Sequence, residues 1–313
     1  MSKFKIRHIT KYLYEVPVRD SANQIMLYPV KDDFQEIVSQ EILISGEPLV
    51  DVYKDYYGNE IGTFTHSHPH NQLIIDSRLQ IITTPKELPN DQASADEQWK
   101  ALAGIKFQSP YIDFLQPERF PGFAEIEKLI SEQKNKNVTP LQLAKYLCNY
   151  VFENFKYKKG ITTVETTLDE IWQLKLGVCQ DFAHMLLVIL RMSSIPARYV
   201  SGYICPNKSG MRGEGATHAW VEAYIPFYGW LGLDPTNNCI ANDTHVRLAV
   251  GKNFSDCSPV KGTYRGTSDH TLEVIVTVAY EDGSSAEEHT DVVDVEPTTS
   301  YSKNSFRRFQ EMQ

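Results

Sequence analysis

Cys179 is the residue whose type and setting most directly suggest chemistry. Gly177 permits a tight turn just before it, and the thiol then opens an apolar segment from Gln180 to Met192 in which Phe182, Met185, Leu186, Ile189 and Leu190 recur at helical spacing. A thiol in the first turn of a helix lies near unpaired backbone N–H groups and the positive end of the helix dipole, which favour the thiolate. A nucleophile of this kind needs a base on another element, oriented through its second ring nitrogen by a carboxylate or amide. His218 and Asp234 fit those roles. His184 is a weaker base candidate because five residues rotate a helix by about 140°, so His184 and Asp181 are expected to be structural or supporting. A tetrahedral oxyanion would need donors: the Cys179 backbone N–H is one, and Gln173, Trp172 and Tyr157 are alternative sources of a second.

The elements that must position these groups can be read around them. Ala183 and Leu187 widen the apolar stripe after Cys179, which predicts an enclosed central helix. Thr217 to Ile225 alternates, so that His218, Trp220, Glu222 and Tyr224 share one face and Ala219, Val221, Ala223 and Ile225 the other. Trp230 to Asp234 reads as the returning strand of a hairpin. A four-residue loop at 226–229 would pair Val221 with Asp234 and put the carboxylate on the wrong face. The triad therefore predicts either a five-residue loop centred on Pro226 or a bulge.

Farther out, short strand patterns between Phe4 and Thr84 indicate a β-rich N-terminal domain over residues 1–84. Prolines 85, 89, 110, 117 and 121 mark residues 85–122 as a linker with room for a short helix near Ala95 to Leu102. Helical and then strand-like patterns follow, an α+β catalytic core over 123–295 that includes a C-terminal strand at Thr271 to Ala279, and 296–313 reads as a flexible tail. The stretch Pro206 to Gly215, with three glycines, suggests a loop bordering the cleft.

Composition narrows the function. The 313 residues are 42% hydrophobic and 23% charged, the balance of a globular chain long enough for two domains. A net charge of −9 opposes nucleic-acid binding. No apolar run approaches the roughly 20 residues of a membrane span, and no secretory signal is visible, so a cytoplasmic protein without membrane contact is expected. Five widely spaced cysteines, with no Cys-x-x-Cys pair, argue against a disulfide framework or a cysteine zinc site. His66, His68 and His70 would share one face of an extended strand and could hold zinc, but Pro69 favours a solvated loop. No cofactor and no metal are expected.

Four motifs in order complete the reading: Gly177-Val-Cys-Gln-Asp-Phe-Ala-His184, Ile195-Pro-Ala-Arg-Tyr-Val-Ser-Gly-Tyr203, Thr217-His-Ala-Trp-Val-Glu222 and Gly229-Trp-Leu-Gly-Leu-Asp-Pro-Thr-Asn237. Together they resemble the bacterial and archaeal transglutaminase-like enzymes, often described as candidate cysteine proteases. The resemblance covers about residues 140–265, and the N-terminal region resembles the β-domain that precedes this core. It implies a papain-like core with a central helix on an antiparallel sheet, Cys179 as nucleophile, His218 as base and Asp234 as the group orienting the histidine. The expected reaction is acyl transfer through a Cys179 thioester on a peptide or protein substrate, with hydrolysis ranked ahead of amine transfer. A peptide-binding module without catalysis is the alternative. A coupled thiol and imidazole would give a bell-shaped pH profile.

Overall fold

The computed structural model describes residues 1–163, 166–205, 211–212, 217–281 and 289–293. The chain opens with five strands, β1 (Ser2–Ile25), β2 (Gln35–Ile44), β3 (Asp51–Lys54), β4 (Glu60–His66) and β5 (His70–Thr83). Helix α1 (Ala95–Ile105) follows, then a short 3₁₀ turn (Tyr111–Leu115), α2 (Phe123–Lys134), α3 (Pro140–Asn154), β6 (Lys156–Tyr157), α4 (Leu168–Leu174), β7 (Leu176–Gly177) and α5 (Cys179–Met192). The second half adds β8 (Ala197–Ile204), β9 (Thr217–Ile225), β10 (Gly229–Asp234), β11 (Cys239–Ile240), β12 (His245–Gly251), α6 (Phe254–Cys257), β13 (Val260–Arg265), β14 (His270–Tyr280) and β15 (His289–Val293). No helix among the described residues is long and apolar enough to cross a membrane.

The N-terminal sheet is organised by β1. Phe4, Ile6, His8 and Thr10 alternate inward while Lys3, Lys5 and Arg7 face out, the pattern of a strand buried on one side. Its first half lies antiparallel between β5 and β14, and after a register shift its second half pairs with β4 and β13. The strand expected at Thr271 to Ala279 therefore forms, but it pairs with β1 from Phe4↔Tyr280 to Tyr14↔His270 rather than joining the core sheet. Its assignment to the catalytic core is corrected: backbone pairing, invisible to local sequence pattern, places the chain's return at the N-terminal sheet. Residues 294–313, which hold the predicted tail, and most of the predicted loop at 206–215 lie outside the described residues.

The core sheet runs β11-β10-β9-β8-β12, with every pairing antiparallel. Residues 182–190 of α5 are all buried except His184, which is intermediate, as the broad apolar stripe predicted. Ala219, Val221, Ala223 and Ile225 of β9 join the same hydrophobic cluster as α5 and α3. Each of α1, α3 and α4 starts with a reciprocal cap: Ser94 with Glu97, Thr139 with Gln142, and Thr167 with Glu170. Pro140 occupies the first turn of α3, where its missing N–H costs nothing.

Specific polar contacts dock the two sheets. Asn59 bonds both the carbonyl and the N–H of Val250 at 2.8 Å, and His8 Nδ1 meets the Tyr203 hydroxyl at 2.9 Å. Burial pushes the His8 pKa down to about 4 from 6.5. A folded-state pKa below the unfolded one means that the unfolded chain binds the proton first. His8 thus favours the fold fully above pH 6.5, and that contribution is lost as pH falls toward 4. Urea unfolding between these two pH values is expected to show wild type losing about 3 kcal/mol more than His8→Gln. Equal losses would assign the acid sensitivity elsewhere.

Candidate active site

The turn that presents Cys179 is built by three residues around it. Val178, the residue before α5, has no side-chain acceptor, and Asp181 supplies the missing cap by accepting the Val178 N–H at 2.7 Å. The same carboxylate oxygen accepts the Thr162 hydroxyl at 2.7 Å. Asp181 can approach this closely because residue 177 has no side chain: a Cβ there would stand 2.4 Å from Asp181 Oδ2 and 2.6 Å from its Cβ. Gly177 is thus required by close approach, and Asp181 is the supporting residue the sequence suggested. Gly177→Ala is expected to destabilise the protein by about 1–3 kcal/mol and to slow alkylation of Cys179, because Asp181 must leave both donors. Thermal unfolding and a timed iodoacetamide reaction would test this, and an unchanged melting temperature would contradict the packing argument.

His218 reaches the same place from β9. Its Nε2 donates to Asp234 Oδ2 at 2.8 Å. Its Nδ1 is buried without a hydrogen-bond partner, and Cys179 is a neighbour of the ring. Trp220 lies parallel to the His218 ring, with centroids 6.1 Å apart at 27°, which holds the imidazole plane.

The hairpin between β9 and β10 corrects the predicted register. Gly229 pairs with Ile225 and Leu233 with Val221, so the loop has three residues, neither four nor five. The turn closes when Tyr228 N–H donates to the Ile225 carbonyl at 3.2 Å, with Pro226 and a left-handed Phe227 (φ 65°) between them and Gly229 at φ 97°. Shortening the loop by one residue flips the faces as effectively as lengthening it. Continuing the pairing sets Asp234 level with Trp220, on the His218 face, from which it reaches His218 diagonally.

Asp234 is a fully buried acceptor hub. Its Oδ2 accepts from His218 Nε2, from Asn237 Nδ2 at 2.8 Å and from His245 Nε2 at 3.2 Å, while Oδ1 accepts the N–H groups of Thr236 and Asn237 at 2.9 and 3.3 Å. Burial raises its pKa, but the charge and hydrogen bond of His218, then those of His245, outweigh it and hold the carboxyl far below its usual range. Burial also lowers the His218 pKa, yet the Asp234 charge and hydrogen bond, with the Cys179 thiol after them, raise it to about 10. His245 moves the other way, pushed below 6.5 chiefly by burial, and its Nδ1 meets the Thr244 hydroxyl at 3.1 Å. At neutral pH these directions favour an Asp234 anion, a His218 cation and a neutral His245.

Sequence reasoning missed His245 and Asn237. The run Asp234-Pro-Thr-Asn237 carried a usable signal, since an Asp side chain readily caps the N–H groups two and three residues on. His245 carried none, because β12 is separated from β9 by β8.

The other candidates sort cleanly. His184 Nε2 accepts the Phe254 N–H at 3.4 Å, and burial, then Arg191, pushes its pKa to about 4, a structural role as expected. Tyr203 is committed to His8. Among the three alternative oxyanion donors, Trp172 packs against Phe120 and Phe155 beneath Lys175, Gln173 is exposed on α4, and Tyr157 pairs directly with Gly177, two residues before Cys179. His66 and His70 come together, with ring centroids 4.6 Å apart, but His68 is exposed and the three do not form one ligand set: His66 Nε2 bonds the Ser45 carbonyl at 2.9 Å and His70 Nδ1 the His68 carbonyl at 2.9 Å. Among the described residues, His218, Asp234 and His245 alone cluster as metal-ligand types, their donor atoms within 4.8 Å. Both imidazoles direct Nε2 at the same Asp234 oxygen, so a metal would have to displace two hydrogen bonds.

Comparison with known proteins bears on the fold and the family. Residues 127–235 match the model of the transglutaminase-like superfamily, and residues 4–82 match the bacterial transglutaminase-like N-terminal region. An uncharacterized protein of Mycobacterium leprae is 29% identical over 282 residues, 89% of this chain and 99% of that one. A protein-glutamine gamma-glutamyltransferase of Pseudomonas aeruginosa is 33% identical over 178 residues, 54% of this chain and 25% of that one. The crystal structure of a proposed cysteine protease from Cytophaga hutchinsonii superposes with a TM-score of 0.70 at 21% identity, covering 97% of this chain and 95% of that one.

Proposed function

Because the chain belongs to the transglutaminase-like superfamily, with a bacterial transglutaminase-like N-terminal region ahead of its core, we propose that it performs thiol-dependent acyl transfer on peptide or protein amides. The observation that carries this is the buried His218, its Nε2 bonded to Asp234 at 2.8 Å and its Nδ1 left without a hydrogen-bond partner, with Cys179 as a neighbour of the ring. Asp234 fixes the ring and stabilises its cation, while the imidazolium stabilises a Cys179 thiolate at the start of α5.

In the first step the thiolate attacks the amide carbonyl, forming a C–S bond and an oxyanion that the Cys179 backbone N–H, with Tyr157 as second donor, would hold. The C–N bond then breaks as the His218 proton passes to the departing amine. A second nucleophile gives its proton to His218, attacks the thioester carbonyl and releases the thiolate. His218 must be protonated to assist departure, so activity declines as pH rises through about 10, which forms the upper limb of a bell-shaped profile.

Water at about 55 M is the default second nucleophile, which makes hydrolysis, as a cysteine protease or amidase, the leading reading. Transfer to an amine is the second reading, favoured by the 33% identity with the glutamyltransferase. The five free cysteines suit a reducing compartment, and we place the protein in the cytoplasm. Mass spectrometry of protein mixed with a glutamine-containing peptide library is the test. An acyl adduct on Cys179, discharged to free acid without amine and to conjugate with it, would support the mechanism and divide the two readings. An unmodified Cys179 throughout would refute acyl transfer on these substrates.

A further inference from the structure

A cavity of about 300 Å³ lies between the N-terminal sheet and the core sheet, and neither Cys179 nor His218 lines it. Its charged wall is a ladder. Arg198 Nε and Nη2 hold Glu222 Oε2 at 2.7 and 2.6 Å, Arg247 Nη1 approaches Glu222 Oε1 at 3.6 Å, and Arg247 Nη2 pairs with Asp32. Two guanidinium groups and two carboxylates neutralise one another there.

Lys86 is left over. Its ammonium donates to the Trp230 carbonyl at 3.0 Å and otherwise lies 4.4 Å from the Tyr228 ring and 5.4 Å from the Phe34 ring. No carboxylate pairs with it among the described residues. One hydrogen bond leaves two of its three protons for another acceptor. Arg198 adds a further donor, because Nη1 has no acceptor among the described residues while its guanidinium stacks 4.3 Å from the Trp230 ring. Burial lowers the Lys86 pKa, and the more distant charges of Glu222 and Asp32 only partly oppose it.

We propose that this cavity is a binding site for a small monocarboxylate carried on a flat apolar group, the carboxylate meeting Lys86 and Arg198 and the flat group lying among Phe34, Tyr228 and Trp220. A carboxylate completes the unpaired ammonium with charge-assisted hydrogen bonds, and the aromatic side chains exclude water from one side of it. The volume is at the lower end of ligand pockets, which restricts the ligand to about one ring and its acid.

Isothermal titration calorimetry of the full chain with benzoate and with benzamide, its uncharged counterpart, tests this without any assay of the reaction. Benzoate is expected to bind with a dissociation constant of about 1 mM and benzamide at least about tenfold more weakly. Lys86→Met should weaken benzoate by about tenfold and leave benzamide unchanged. Its fold should survive, because the residue's backbone N–H and carbonyl keep their bonds to Asn242. The proposal is overturned if benzoate fails to saturate below about 50 mM, or if benzoate and benzamide bind alike to wild type, a comparison that needs no variant.

Discussion

Asp234→Asn is expected to lower the rate of acyl transfer by about 10⁴ and the stability by about 3 kcal/mol. The carboxylate accepts from His218, His245, Thr236 and Asn237, the last both through its backbone N–H and through its side chain. An amide has one oxygen for these two sets of donors. If its NH₂ group faces Thr236 and Asn237, two backbone donors lose their acceptor. If it faces the histidines, His218 Nε2 must become an acceptor, its proton moves to Nδ1, and the ring can no longer take a proton from Cys179.

The stability loss has a pH signature. Asp234 has a depressed folded pKa, so its contribution is complete above the ordinary carboxylate value of 3.8 and fades only in strong acid. His218 has a raised one, so its contribution is complete below 6.5 and is lost as pH rises through about 10. The gap between wild type and variant should be widest between pH 3.8 and 6.5 and narrow toward 10. Chemical unfolding across that range decides the matter: a gap independent of pH would mean that Asp234 and His218 are not linked as their 2.8 Å contact requires.

Cys179→Ala should abolish adduct formation altogether while leaving stability within about 1 kcal/mol of wild type, since the thiol is only half-buried. The companion result in the wild type is selectivity. Cys148, Cys205 and Cys257 are buried with their thiol pKa values pushed up, and burial, then Asp234, pushes Cys239 up to about 12. Iodoacetamide at neutral pH should therefore modify Cys179 well before the other four, as peptide mapping of a timed reaction would report. Comparable rates at Cys179 and Cys239 would remove the case for an activated nucleophile.

How much of this was legible beforehand depends on how local the physics is. Gly177, Cys179 and the stripe from Phe182 to Leu190 sit in one turn and one helix, so the presentation of the thiol could be read from spacing alone. The facing of His218 and Trp220 followed from strand alternation. The loop at 226–228 was misjudged because its length rests on Phe227 accepting a left-handed φ of 65°, a conformation that sequence preference disfavours for an aromatic residue. The direct contact of His245 with Asp234 required knowing that β12 lies beside β8.

By itself, then, the amino-acid order determined the kinds of element, the enclosed helix, the placement of the candidate nucleophile and the face of the strand that carries its candidate base, because helical and strand periodicity are properties of neighbouring residues. Only the tertiary structure decided that Asp234 would face His218, that a second imidazole would share it, that the last strands would return to β1, and that Lys86 would stand among aromatic rings with no carboxylate in direct contact among the described residues. Each of these depends on pairing between segments far apart in the chain, where the register of one strand on another, and not the composition of either, sets which side chains meet.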